Sequence, residues 1–209
     1  MDNTLKHVKI ITGQVEQKIV RVKDDYIIAV DNGIGVVRNS GIIPNCLVGD
    51  LDSASKEDIQ WAKDNGINIK QYPVEKDYVD TQLALDIAYQ VNPAEITIYN
   101  ELSGRFDHAI CLAYLLLQPL KRGIKARIVS KNNIIYLVDK HITIAASNSY
   151  VSIFPFTPQA RATAIGLKYN LPKILYVDNP IGISNEFIKD HAEITVKQGI
   201  ILLIVSKIV

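Results

Sequence analysis

The chain has 209 residues, 48% of them hydrophobic, with 23 Lys and Arg against 22 Asp and Glu for a net charge of +1. That length and apolar content support one large core or two modest ones, and the near-neutral balance excludes a nucleic-acid-type polyanion binder. No apolar signal segment opens the chain and runs such as residues 200–205 are too short to cross a bilayer. Cys46 and Cys111 sit in apolar surroundings without metal or redox spacing, so the expectation is a soluble cytoplasmic protein with reduced core thiols.

In chain order, short β-branched runs at residues 8–11, 26–30, 46–48, 67–71 and 95–99 alternate with helical patterns, which predicts a parallel sheet covered by helices. Ser55-Lys56-Glu57-Asp58 reads as a capping box for a helix that stops at Gly66. Residues 80–90 put Leu83, Ala84, Ile87 and Ala88 on one helical face before Asn92-Pro93. Residues 108–118 are apolar almost all round, which predicts a helix either deeply buried or at an interface. From residue 126 the runs are short and strand-like, at 126–129, 134–138, 142–144, 150–154, 162–165, 173–176, 192–197 and 200–205, with turn residues between them at the spacing of an antiparallel sandwich. The expected architecture is an α/β domain over residues 1–125, with a mostly parallel sheet and flanking helices, followed by an antiparallel β-sandwich domain over residues 126–209.

The acids fall where strands end. Asp31 follows one run, Asp50 and Asp52 follow the next within Gly49-Asp50-Leu51-Asp52-Ser53, and Lys76-Asp77-Tyr78-Val79-Asp80 comes soon after a third. Ligands of open parallel sheets bind beyond the carboxyl ends of the strands, so separate loops deliver these acids to one rim. Carboxylates that close repel unless a cation lies between them, and oxygen ligands without nearby Cys or His favour a hard ion such as Mg²⁺, held by a few carboxylates plus substrate phosphates. Ser53 is also an ordinary helix cap. Ser103-Gly104-Arg105-Phe106-Asp107-His108 leads into the apolar helix, where backbone N–H groups and the Arg105 fork suit phosphate oxygens and Asp107 is alternatively a cap. No P-loop or dinucleotide fingerprint is present, so a nucleotide has to be held through metal, Lys76, Arg105 and backbone amides. The residues alone leave open a metal-dependent phosphohydrolase, a nucleotide-dependent transferase and a non-catalytic binding module.

Taken in order, Asp31-Asn32-Gly33, Gly49-Asp50-Leu51-Asp52-Ser53, Lys76-Asp77-Tyr78-Val79-Asp80, Gly104-Arg105-Phe106-Asp107-His108 and Ser184-Asn185 resemble the motifs of the thiamine pyrophosphokinase family, with Asn32 in place of a glycine and Val79 in place of a threonine. The resemblance implies transfer of the pyrophosphoryl group of ATP to the hydroxyl of thiamine, with ATP as co-substrate and Mg²⁺ as cofactor, giving thiamine diphosphate and AMP. It also implies a homodimer whose site lies between one subunit's α/β domain and the other's β domain. By the same resemblance Asp50, Asp52, Asp77 and Asp80 are the metal and phosphate-orienting carboxylates, and either Asp80 or Asp52 serves the thiamine hydroxyl. Asp31 lines the nucleotide site, Lys76 and Arg105 face the nucleotide's phosphates, and Asp107, Ser184 and Asn185 face thiamine. Phe187 suits stacking on the cationic thiazolium, or else a place in the core.

Overall fold

The computed structural model describes residues 6–13, 15–75 and 77–208. Lys76 therefore lies outside the described residues. Two compact units meet in sequence between Lys131 and Asn132.

The first unit holds strands β1 (Lys6–Ile11), β2 (Tyr26–Val30), β3 (Cys46–Gly49), β4 (Asn68–Gln71), β5 (Pro93–Tyr99) and β6 (Lys125–Val129), ordered β6-β5-β1-β2-β3-β4. Each neighbouring pair is parallel. Helices α1 (Gly33–Asn39), α2 (Lys56–Asp64), α3 (Asp80–Gln90), α4 (Phe106–Leu115) and α5 (Leu117–Lys121) fill the connections. Buried Ile10, Ile28, Leu47, Ile96 and Ile98 are the continuous apolar runs that a sheet covered on both faces requires. The run at 126–129, expected from its sequence to belong with the antiparallel strands, is β6 and pairs in parallel with β5. Its short β-branched pattern is the same in either sheet, and only its partner distinguishes them.

Local chemistry sets the helix starts. Ser55 caps α2, its Oγ accepting from the Asp58 N–H at 3.0 Å and donating to Asp58 Oδ2 at 2.7 Å. Ser55 is thus the cap and Ser53 is not. Asp58 also pairs with Arg38 at 2.8 Å, tying α2 to α1. Helix α1 is not among the helices expected above, and it contains Gly33 and Gly35, which are poor helix formers. Gly33 is needed there because a Cβ would overlap the Ile11 carbonyl of β1. Val79 is the N-cap of α3, in extended conformation, and gives no side-chain cap.

Charges at the amino ends of the strands are paired and buried. Lys9, 5% exposed, donates to Asp25 Oδ2 and to the Val20 carbonyl, both at 2.6 Å, and the Val22 N–H also donates to Asp25 Oδ2 at 2.6 Å. His7 stands 3.6 Å from Asp25, but burial holds its imidazole below the ordinary 6.5 against the pull of Glu95 and Asp25. Lys9 is accordingly the counter-ion of Asp25 at neutral pH.

The second unit is a sandwich of two antiparallel sheets. One runs β12 (Asn185–Glu186), β9 (Ser149–Pro155), β14 (Ile201–Lys207), β7 (Asn133–Val138); the other runs β11 (Leu175–Tyr176), β10 (Gln159–Ile165), β13 (His191–Gln198), β8 (His141–Ala145). Val151, Ile153 and Leu203 from the first sheet share one core with Ala162, Ala192 and Ile194 from the second, following the period-two alternation of each strand.

Because Val79 sits at a cap position without a capping group, Val79→Thr is expected to stabilise the first unit by about 0.5–1 kcal/mol, measured as a rise in the urea midpoint. An unchanged or lower midpoint would contradict this account of the α3 start.

Candidate active site

From β1 the chain steps outward through β2, β3 and β4, then returns to the other side of β1 with β5 and β6. Strand order therefore reverses between β1 and β5, where open α/β sheets place their ligands. A cavity of about 860 Å³ opens at these carboxyl ends. Its walls are residues just past β1 (Thr12, Gly13), β2 (Asp31, Asn32), β3 (Asp50, Asp52, Ser53) and β5 (Asn100, Leu102, Ser103), with Asp80 of α3 and Arg105 and His108 at the start of α4. Thr12 links the ends of β1 and β5, its hydroxyl donating to the Tyr99 carbonyl at 2.9 Å and accepting from Asn100 Nδ2 at 2.8 Å.

The turn after β3 is built on Asp31. The Asp31 N–H continues the ladder to the Val48 carbonyl at 3.0 Å, and its Oδ1 accepts from the Leu51 N–H at 3.2 Å. Its carboxylate lies directly over Gly49, where any Cβ would overlap it. Asp31 (φ 47°), Gly49 (φ 145°) and Leu51 (φ 67°) all have left-handed backbone, the concentration of strain that rigid sites sustain. The turn so held carries Asp50 and Asp52 into the cavity, with the Asp52 N–H donating to Asp50 Oδ1 at 3.1 Å. The Asp52 carboxyl is pushed above the usual carboxylate range, first by its hydrogen bond with the Asp50 carboxyl, then by the Asp50 charge, with a smaller push from Asp80. Three acids thus act on one another here, yet no group of three or more His, Cys, Asp or Glu among the described residues is drawn together as a metal cage. The four-carboxylate set expected from the sequence is therefore not assembled by protein contacts alone.

Arg105 is folded onto Asp107, donating at 2.6 Å from Nη2 and 3.2 Å from Nε, and the His108 N–H donates to the same carboxylate at 3.0 Å. The pair holds Asp107 below the usual carboxylate range and raises Arg105. Both are exposed, so the pair is cheap to exchange for another partner. Asp107 is in the first turn of α4 rather than at its cap, which is Arg105.

The remaining sequence expectations separate. Asp77 is exposed and outside the cavity walls. Ser184, Asn185 and Phe187 belong to the second unit. Ser184 is exposed with φ 56°. Asn185, 6% exposed, has its carboxamide engaged with backbone, donating to the Tyr169 carbonyl at 2.7 Å and accepting from the Tyr169 and Glu186 N–H groups. Its carboxamide thus pins the Tyr169 segment. Phe187 is half-buried against the sandwich core. The helix expected at 108–118 is two helices, and α4 is not deeply buried: within it only Leu112 and Leu115 are buried. Cys111, expected in the core, is half-exposed on the cavity wall beside His108 and Leu112, a face marked in the sequence only by the helical spacing of those residues. Thr12 and Asn100 are cavity residues that the sequence expectations do not include; polar residues directly after an apolar strand are the available signal.

Gly49 and Gly66 both have positive φ, but of the two only Gly49 would bring an added Cβ within 4 Å of a neighbour, the Asp31 carboxylate. Gly66→Ala is expected to lose about 1–2 kcal/mol and Gly49→Ala clearly more, both by equilibrium urea unfolding. Equal losses would refute the packing of Asp31 on Gly49.

Residues 18–128 match the family model described as thiamin pyrophosphokinase, catalytic domain, and residues 139–201 match thiamin pyrophosphokinase, vitamin B1 binding domain. A thiamine pyrophosphokinase of Bacillus subtilis is 31% identical over 184 residues, which is 86% of each chain. Among solved structures, thiamine pyrophosphokinase from Bacillus subtilis superposes with a TM-score of 0.89 at 27% identity, covering 97% of this chain and 100% of that one. A thiamin pyrophosphokinase family protein from Enterococcus faecalis gives 0.84 at 28%, covering 97% and 100%. Thiamin pyrophosphokinase from Candida albicans, at 17% identity and TM-score 0.79 over 98% and 90%, shares the fold. With both of its units matched in order, the chain belongs to the thiamine pyrophosphokinase family.

Proposed function

We propose that this chain transfers the pyrophosphoryl group of ATP to the hydroxyl of thiamine, releasing AMP and serving thiamine diphosphate synthesis in the cytoplasm. The carrying observation is the pair of carboxyls at Asp50 and Asp52, pressed together on the wall of a cavity at the strand-order reversal. The thiamine hydroxyl oxygen bonds to the β-phosphorus while the bond from that phosphorus to the α–β bridging oxygen breaks. AMP leaves with the electron pair, and the hydroxyl proton passes to a carboxylate. Such transfer depends on positioning and charge neutralisation more than on a covalent nucleophile.

The donor set fits Mg²⁺. Its oxygens are hard, and the field of Asp50 and Asp80 that raises the Asp52 carboxyl is one that a divalent cation relieves. Asp50 and Asp52 would hold the ion, with Asp80 beside them; Mg²⁺ needs only one or two carboxylates when phosphates and water complete its shell. Bound there, it neutralises phosphate charge. Asp80, at the first turn of α3, orients the thiamine hydroxyl and takes its proton. Arg105 exchanges Asp107 for phosphate, which frees Asp107 for the cationic substrate. Lys76 and Asp77 remain assigned to the phosphate side, and Ser184, Asn185 and Phe187 to thiamine, by family pattern. ATP and Mg²⁺ belong to the first unit in this reading, and the second unit carries further thiamine-binding residues. Two free thiols, Cys46 and Cys111, suit a reducing compartment, and among the described residues no helix is long and apolar enough to cross a membrane.

A homodimer is part of the same reading. Phe106, Ile110 and Tyr114, exposed by 76%, 42% and 58%, recur at helical spacing along one face of α4, and Ile181, Ile183 and Ile188 are exposed on the second unit. Apolar stripes of this kind are what a second copy covers.

The test is incubation with ATP and Mg²⁺, with and without thiamine, and chromatography of the products. AMP that forms only with thiamine is expected. AMP or ADP formed without it would make the protein a hydrolase, and thiamine binding without AMP would make it a binding module. Asp52→Asn is expected to lose activity by on the order of a hundredfold or more. Mg²⁺ should raise the thermal midpoint of the unaltered chain more than that of the variant, and equal rises would remove Asp52 from the metal site. Phe106→Asp is expected to lower the sedimentation mass from dimer to monomer; an unchanged dimer would place the interface elsewhere.

A further inference from the structure

We infer that Asn32 is a nucleotide-binding residue, its carboxamide donating a hydrogen bond to a phosphate oxygen of the polyphosphate chain; this rests on the reading that the cavity takes ATP. Asn32 stands at the N-cap of α1, where an Asn side chain ordinarily accepts from the first helical N–H groups. It makes no such bond here. Its backbone, at φ −67° and ψ −2°, is already helical, so the side chain is not turned back over the helix as it is from an extended cap. Instead the carboxamide lies across Gly13, where a Cβ would overlap its Oδ1, Cγ and Nδ2. Asn32 is exposed, and both residues are on the cavity wall. Gly13 thus leaves a seat into which the amide fits, at the joined ends of β1 and β2.

The chemistry of the surrounding wall says what this amide is for. The carboxylates of Asp31, Asp50, Asp52 and Asp80 line this wall with acceptor oxygens, and phosphate oxygens are acceptors too. A polyphosphate brought in against these acids needs donors from the protein as well as a cation. Asn32 supplies an N–H donor on the same rim, adjacent in sequence to Asp31, without adding charge. An Asp in this place would add a further repelling carboxylate, and a Gly would supply no side-chain donor.

The experiment titrates Mg²⁺-tripolyphosphate, a probe with neither ribose nor base, into the unaltered chain and into Asn32→Gly, Asn32→Ala and Asn32→Asp by calorimetry, with KM values for ATP and thiamine alongside. Loss of one hydrogen bond to a charged oxygen predicts a Kd weaker by roughly tenfold in Asn32→Gly and Asn32→Ala, and weaker still in Asn32→Asp. KM for ATP should rise in parallel, KM for thiamine should stay, and the unfolding midpoints should match that of the unaltered chain because no capping bond is removed. Unchanged tripolyphosphate affinity in the folded variants overturns the inference, as does a loss confined to ATP, which would move Asn32 to the nucleoside. If the unaltered chain forms no AMP with thiamine but tripolyphosphate binding still weakens in the variants, the activity reading fails and the phosphate contact stands.

Discussion

The contact on which the site depends is that of the Asp31 carboxylate on Gly49. One oxygen takes the Leu51 N–H at 3.2 Å while the carboxylate covers a glycine that admits no side chain. The turn after β3 is thereby held in a left-handed course that an unsupported chain would leave. What over-determines it is the parallel ladder beneath, in which the Asp31 N–H is still bonded to the Val48 carbonyl at 3.0 Å. A strained turn on a rigid sheet gives Asp50 and Asp52 fixed positions, and fixed positions are what charge stabilisation in a transfer reaction requires.

The two ends of the same sheet handle charge in opposite ways. At the amino ends, Lys9 and Asp25 are buried together and bonded to backbone at Val20 and Val22, an arrangement that leaves neither charge without compensation. At the carboxyl ends, acids face one another in a cavity, and the Asp52 carboxyl is raised in consequence. The first arrangement anchors the segment before β2. The second leaves like charges facing one another at the cost of local repulsion, and the exposed Arg105–Asp107 pair keeps a guanidinium at the rim.

The second unit illustrates how one residue type serves different ends. Asn185 is buried and holds the Tyr169 backbone by both its N–H and its carbonyl, so its polarity is consumed in folding. Asn32 is exposed in the cavity and gives no cap to its own helix. Both are asparagines of the motif segments, and the sequence does not distinguish a buried amide bonded to backbone from an exposed one on a cavity wall. Burial and partners do.

Most strands, the helices α2 and α3, the division into a parallel and an antiparallel part, and the placement of acids at strand ends were legible in the residues, because period-two and helical patterns and capping groups act over a few positions. The Ser55 cap and the span of α3 followed from such local signals. What needed the tertiary structure was everything decided by partners distant in sequence. The parallel pairing of β6 depends on β5, the course of α1 depends on Gly33 meeting Ile11 of β1, and the turn at Gly49 depends on Asp31. The same holds for Cys111, whose apolar neighbours in sequence suggested a core position, whereas the docking of α4 turns it to the cavity. Neighbouring residues carry local geometry, but which face of an element meets a ligand is settled only when elements far apart in the chain pack against each other.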